Sequence, residues 1–241
     1  NMRIVKFTLS GDFVKNIPLT MLKGIIYPFG MVVGSNGNIF ALNLYTYRLY
    51  EYTKAGALVQ DHGIIAPGTG KFATYYYLVG ITADKNGFLY VLNPGGKIDK
   101  FNLAGDHIKT FGGTGTGNGL FQNPISIKCG PDGLLYVLDY GRQDVQVLTP
   151  NGGFIRKFGD NTLFGVPTAM GVDKIGYVYV ADSEKNKLFK LKPTGELVTQ
   201  WKIPTSTTRI PFYYTDIAID DMFNVYVTDV MLDVVHVFSG K

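Results

Sequence analysis

The fold is decided by the stretch Gly176-Tyr177-Val178-Tyr179-Val180-Ala181-Asp182, an apolar segment of β-forming residues between a turn glycine and an aspartate. The same pattern recurs along the chain, at residues 37–43, 87–93, 133–139 and 223–229. Successive copies start 50, 46, 43 and 47 residues apart, taking residues 37, 87, 133, 176 and 223 as the starts. A period in the forties that contains a short strand is typical of the blades of a β-propeller.

The flanks of this stretch repeat as well. Before it lies a short strand that begins at a small or short residue: Gly30, Gly80, Ser126, Ala169 or Asp216. After it comes another short strand, at residues 48–52, 97–101, 144–148, 187–191 and 234–238, with a sixth copy at 3–7. A turn glycine and a final strand follow most of these. Each unit therefore predicts four antiparallel strands, and stacking of such units buries both faces of the second strand.

The repeats organise the whole chain. We expect one propeller domain over residues 1–241, part of a longer chain, with repeats at approximately 1–15 (half a blade), 27–60, 77–111, 121–158, 164–201 and 211–238. Residues 1–15 supply only the third and fourth strands of a unit, and residues 211–238 only the first three. The ring is then either six-bladed with part absent, or five-bladed with Phe13-Val14 completing the last blade beside Val234 to Phe238.

The pattern resembles the NHL repeat. The best copy runs from Pro167 to Gly195, where Val180-Ala181-Asp182-Ser183 and Asn186-Lys187 match closely. The resemblance covers nearly the whole chain, and it implies an all-β propeller of four-stranded antiparallel blades, usually six in number.

Composition narrows the class of protein. Hydrophobic residues make up 46% of the chain and charged residues 17%, and the net charge is +4. No run of about 18 apolar residues occurs, so no membrane insertion is expected. Cys129 is the only cysteine, which excludes an internal disulfide and a thiolate metal cluster.

The candidate binding residues lie in loops at one end of the predicted blades, where propellers carry function. They are Tyr45, Tyr47, Arg48, Tyr76, Lys97, Tyr140, Arg142, Lys187, Arg209 and Tyr213. Tyrosine and arginine together on a surface are typical of interaction patches. We therefore expect a non-enzymatic binding or scaffold module, exported or at the cell surface, with a protein or glycan partner and no cofactor.

Two alternatives remain open. Some NHL domains bind single-stranded RNA, and the cations of the loop face would suit this, although aspartates interleave with them. Enzymatic relatives of the lyase and lactonase kinds act at the central channel. The positions that hold metal-binding histidine in the lyases are Phe29, Val79, Ile125, Thr168 and Thr215 here. Asp216 is the one carboxylate expected near the axis, too few for a calcium site, so no catalytic or metal-binding residue is predicted.

Overall fold

The computed structural model describes residues 3–18, 28–43, 48–64, 80–93, 95–204 and 214–239. These residues form an all-β propeller, as predicted, and they contain no helix. Five blades follow one another along the chain after a short hairpin. The hairpin consists of β1 (Arg3–Phe7) and β2 (Phe13–Pro18).

Four blades are antiparallel sheets of four strands in sequence order. Blade 1 contains β3 (Pro28–Val33), β4 (Ile39–Asn43), β5 (Arg48–Tyr52) and β6 (Leu58–Ile64). Blade 2 contains β7 (Gly80–Ala83), β8 (Phe88–Leu92), β9 (Lys97–Asn102) and β10 (His107–Gly112). Blade 3 contains β11 (Pro124–Cys129), β12 (Leu135–Asp139), β13 (Asp144–Leu148) and β14 (Phe154–Phe158). Blade 4 contains β15 (Pro167–Val172), β16 (Val178–Asp182), β17 (Lys187–Leu191) and β18 (Leu197–Lys202).

Blade 5 has three described strands, β19 (Tyr214–Ile219), β20 (Val225–Asp229) and β21 (Val234–Phe238). The pairing of Phe13-Val14 with Val234 to Phe238, which the five-bladed alternative required, is not present among the described strands. Strand β2 pairs with β1 instead, with Ile4 opposite Ile17. Ile4 of the hairpin packs against a cluster of blade 1 that contains Ile39, Ala41, Tyr50 and Tyr52, so the hairpin lies against that blade rather than extending blade 5.

The core lies between the blades, because each second strand is apolar on both faces. All five residues of β12 and of β16 are buried. Between blades 3 and 4, Tyr136 packs in one cluster with Val178 and Val180. Burial of apolar area at about 25 cal/mol per Å² makes these interfaces the main stabilising element of the fold.

Within the described residues no helix is long and apolar enough to cross a membrane.

Candidate binding face

The aspartate that ends the second strand of blades 3 and 4 holds the loops at the end of the blade where the second strand turns into the third. The carboxylate of Asp182 accepts hydrogen bonds from the backbone N–H groups of Gly165 (2.6 Å) and Val166 (3.1 Å), which lead into the blade. It also accepts from Glu184 (3.0 Å) and Lys185 (2.9 Å), which form the turn to the third strand. Such a carboxylate satisfies four backbone donors at once, so the loops it joins are held in a fixed shape.

Asp139 performs the same task in blade 3. It accepts from the backbone N–H groups of Gln122 (2.7 Å), Asn123 (2.9 Å) and Arg142 (3.2 Å). An Asp that ends a strand suits hydrogen bonds to the backbone of the next turn, and Asp139 and Asp182 both make them. These two carboxylates, which interleave with the candidate cations, are therefore stabilised by backbone donors.

Arg142 is built into the loop structure. Its Nε donates to both carboxylate oxygens of Asp144 (3.2 and 3.1 Å), and its Nη1 donates to the carbonyl of Thr116 (2.5 Å). Only 8% of its side chain is exposed. Burial raises the pKa of Asp144 above its ordinary value, although the Arg142 guanidinium acts in the opposite direction. Arg142 thus holds the glycine-rich loop before blade 3 in place and presents little charge to a partner.

Arg48 is paired in a similar way at the start of β5. Its Nε donates to both oxygens of Asp61 (3.0 and 2.9 Å), and 36% of its side chain is exposed. The hydrogen bond to Asp61 raises the pKa of Arg48. The guanidinium stays charged, and an internal carboxylate balances it.

Three further candidates, Lys97, Tyr140 and Lys187, belong to the part of the chain that the structure describes. Lys97 is exposed at the start of β9, and Lys187 is half-buried at the start of β17. Tyr140 is half-buried and packs against the cluster between blades 3 and 4. All three follow the second strand of their blades, so they lie at the same end of the propeller. Tyr45, Tyr47, Tyr76, Arg209 and Tyr213 lie outside the described residues.

A polar cluster beside Lys97 had not been predicted. Asp99 is buried and accepts hydrogen bonds from Asn93, from Thr110 and from His107 Nε2, the last over 3.1 Å. His107 has 41% of its side chain exposed. The cluster joins two neighbouring strands and the turn that precedes them, a combination with no signal in a linear pattern.

The axial carboxylate Asp216 is 61% exposed and pairs with Lys128 Nζ at 2.7 Å. Lys128 belongs to β11 of blade 3 and Asp216 to β19 of blade 5, so the ion pair links the inner strands of two blades that are not neighbours. Within the described residues no three His, Cys, Asp or Glu side chains are grouped so that they could hold a metal ion.

No family model matches the chain. It is similar in structure to a catalytically inactive virginiamycin B lyase from Staphylococcus aureus with quinupristin, at a TM-score of 0.68 and 17% identity over 99% of this chain and 78% of that one. A protein of unknown function from Bacteroides thetaiotaomicron aligns at a TM-score of 0.72 and 17% identity, covering 98% and 64% of the two chains. A chain in a nidogen/laminin complex aligns at 0.70 and 15% identity, covering 95% and 80%. At these identities the similarity establishes the propeller fold alone.

Proposed function

We propose that this chain is an NHL-type propeller that acts as a binding module, and that it holds a protein partner on the loop face that contains Lys97, Tyr140 and Lys187. The observation that carries the proposal is the clamping of this face by Asp139 and Asp182, whose carboxylates bond to the backbone of the loops. A fixed loop face loses little conformational entropy on binding, which favours recognition of a complementary protein surface.

The charge of this face supports a protein partner over single-stranded RNA. Arg48 and Arg142 are balanced by Asp61 and Asp144 within the chain. Affinity for RNA depends on cations that neutralise phosphates, and two cations already paired internally contribute weakly to this. Tyr140 is half-buried and adds part of an aromatic side chain to this face, and tyrosine is enriched where protein surfaces meet.

The structural neighbours include both a lyase and a chain of a protein complex. The second of these supports a protein-binding role for the fold. A channel enzyme has less support, because Asp216 is held in an ion pair with Lys128.

The experiment is site-specific photo-crosslinking in the cells that make the protein. A benzophenone side chain replaces Lys97 or Lys187 on the proposed face, and Lys85 serves as the matched control because it is an exposed lysine in a turn at the opposite end of blade 2. We expect one protein to be captured from positions 97 and 187, not from position 85, and to be lost in the Tyr140→Ala background. Equal capture from both ends, or capture of nucleic acid, would contradict the proposal.

A further inference from the structure

A cavity of about 220 Å³ opens between blades 2, 3 and 4, at the end of the propeller opposite the candidate binding face. It lies where the first strand of each blade turns into the second, beside the ends of β7, β11 and β15, which are neighbours around the propeller axis. Three equivalent turns therefore enclose it. None of the residues of the candidate binding face lines the cavity, and its walls and rim include Ala83, Lys85, Cys129, Pro131, Val172 and Lys174.

The two carboxylates in the lining are used inside their own turns. Asp84 is buried, and it accepts hydrogen bonds from two backbone N–H groups of its turn and from the hydroxyl of Tyr90. Asp173 is buried as well and accepts from the equivalent three donors, including the hydroxyl of Tyr179. Blade 3 has Gly130 at this position of the turn. Both carboxylates therefore present little surface to a ligand, and their charge is stabilised from within the fold.

Lys85 places an ammonium group on the rim of the cavity. It is exposed, and among the described residues no ion pair or hydrogen bond holds its Nζ. Burial raises the pKa of the neighbouring Cys129 thiol to about 11, whereas the charge of Lys85 acts in the opposite direction. The wall at Cys129 is therefore uncharged at neutral pH, and the cation beside it has no counter-ion in the described part of the chain.

Lys174, on the side of the cavity that blade 4 forms, is positioned by the neighbouring turn of blade 5. Its Nζ donates to the backbone carbonyl of Asp221 over 2.7 Å and lies 5.0 Å from the centre of the Phe223 ring. The carboxylate of Asp221, 3.7 Å from the same Nζ, is 97% exposed, so water screens its charge. An ammonium group has three donors, and Lys174 therefore keeps donors for a ligand.

Phe223 holds its ring beside Lys174 at a cost in backbone conformation. Its φ is +66°, in the left-handed region that is unfavourable for a bulky side chain. Strain of this kind persists where the surrounding structure imposes it, and it is concentrated at functional sites. The other four blades have a glycine at this position of the turn, namely Gly37, Gly87, Gly133 and Gly176.

We propose that this cavity binds a small organic anion, a carboxylate with an apolar or aromatic body. The carboxylate pairs with the ammonium groups of Lys85 and Lys174, and the body packs on Pro131, Val172 and the side of Cys129. The cavity is smaller than the pockets of about 300–1,000 Å³ that hold drug-sized ligands, so the ligand is limited to a single ring or a short chain. This site lies at the opposite end from the proposed protein-binding face, and each can exist without the other.

Cys129 reports whether the cavity is occupied, because it is the only cysteine of the chain and lines the wall. Benzoate is the probe, and benzamide has the same ring without the charge. We expect saturating benzoate to slow the alkylation of Cys129 by iodoacetamide at least about fivefold, and benzamide to slow it less than about twofold. Intact-mass spectrometry in 0.15 M NaCl follows the reaction. No protection by benzoate, or equal protection by both compounds, would overturn the proposal.

A matched pair of lysine variants tests the anionic end of the site. Lys85→Met removes a cation from the rim, and the control Lys54→Met removes an exposed lysine from a turn at the same end of the propeller that does not line the cavity. We expect Lys85→Met to raise the dissociation constant of benzoate at least about tenfold, and Lys54→Met to change it less than about twofold. Saturation-transfer NMR on benzoate measures both. Equal dissociation constants in the two variants would overturn the proposal.

Phe223 is a positioning residue, and two variants separate this role from its effect on folding. Phe223→Gly gives blade 5 the residue of the other blades, and we expect the dissociation constant of benzoate to rise at least about threefold, because Lys174 loses the ring beside its ammonium group. Phe223→Tyr keeps the ring and should bind benzoate as the unchanged protein does. The melting temperature of both variants should stay within about 2 °C of the unchanged protein. Benzoate binding that is unaltered in Phe223→Gly and in the double variant Lys85→Met/Lys174→Met would overturn the proposal.

Discussion

The hydroxyl of Tyr179, in the second strand of blade 4, donates a hydrogen bond of 3.2 Å to the Oδ2 atom of Asp173 in the turn before that strand. Oδ1 of the same carboxylate accepts from the backbone N–H groups of Ile175 (3.0 Å) and Tyr177 (2.9 Å). One aspartate therefore shapes the turn and satisfies the buried phenol of the strand that follows, which lets a polar group lie in the core without an unpaired donor.

The relationship recurs in the other blades that contain this tyrosine. Tyr90 donates to Asp84 (2.9 Å), Tyr136 to Asp132 (3.0 Å) and Tyr226 to Asp220 (3.1 Å). The four tyrosines therefore occupy equivalent positions in their blades. Tyr90, Tyr136 and Tyr179 are fully buried against the next blade, whereas Tyr226 is half-buried.

Truncation of a buried tyrosine measures how strongly one blade is held by the next. Tyr136→Ala removes a fully buried ring between blades 3 and 4, and we expect a loss of about 3–5 kcal/mol in the free energy of unfolding. Tyr226→Ala is the matched control and should lose clearly less, because no described blade covers that ring. Urea denaturation of the two variants gives the comparison, and equal losses would contradict the assigned faces.

Stability should fall at alkaline pH because of these phenols. Burial and the Asp132 carboxylate raise the pKa of Tyr136 from 10.0 to about 12. Between those values the folded protein binds more protons than the unfolded chain, so the free energy of unfolding decreases as pH rises from 10 towards 12. Tyr136→Phe should reduce this slope by up to about 1.4 kcal/mol per pH unit. Denaturation at pH 9, 10 and 11 measures it, and an unchanged slope would contradict the prediction.

Arg142 is expected to be a structural residue of the loop face rather than a contact for a partner. Arg142→Met leaves the buried Asp144 with only Lys157, whose Nζ is 3.8 Å away, and we expect a loss of about 3 kcal/mol at neutral pH. The loss should shrink at acidic pH, where Asp144 is protonated and needs no partner. Lys187→Met is the control and should change stability by less than about 0.5 kcal/mol. Similar losses in both variants would show that Arg142 is not built into the fold.

Gly195 tests the contact between the turn of one blade and the fourth strand of the blade before it. Its φ is +95°, and a Cβ there would lie 2.2 Å from Cβ of Phe158. Gly195→Ala should therefore lose about 2–4 kcal/mol, from backbone strain and overpacking together. Gly11→Ala, at φ +89° with open space around it in the described residues, should lose only the backbone part of about 1–2 kcal/mol. Thermal unfolding of both variants measures the two losses of stability, and equal losses would contradict the predicted contact between Gly195 and Phe158.

The sequence predicted the blades well because their strands repeat. The stretch from Gly176 to Asp182 indicates a strand through its run of β-forming residues. Its copies align so closely that Tyr179 has clear equivalents at Tyr90, Tyr136 and Tyr226. Glycine and aspartate at fixed offsets marked the turns, because each has a specific backbone role there. Local patterns of this kind are sufficient for a fold made of repeated local units.

The candidate binding face was less accessible to such reasoning. Arg142 lies in the turn between the second and third strands of blade 3, but its acceptors include Thr116, 26 residues away in the chain, and no spacing rule identifies them. Asp99 and His107 meet across two strands for the same reason. The sequence indicates which residues lie on a face of the fold. The charge that each of them presents there depends on ion-pair and hydrogen-bond partners that are distant in the chain.

Titration with single-stranded poly(U) RNA at low and at physiological salt distinguishes a loop face that recognises protein from one that recognises nucleic acid. The double variant Lys97→Glu/Lys187→Glu reverses two lysines of the proposed face. We predict weak RNA binding that disappears by about 0.15 M salt, since few phosphates are neutralised there, and we expect the double variant to change it little. Submicromolar binding at physiological salt that the double variant abolishes would show that the loop face recognises nucleic acid instead.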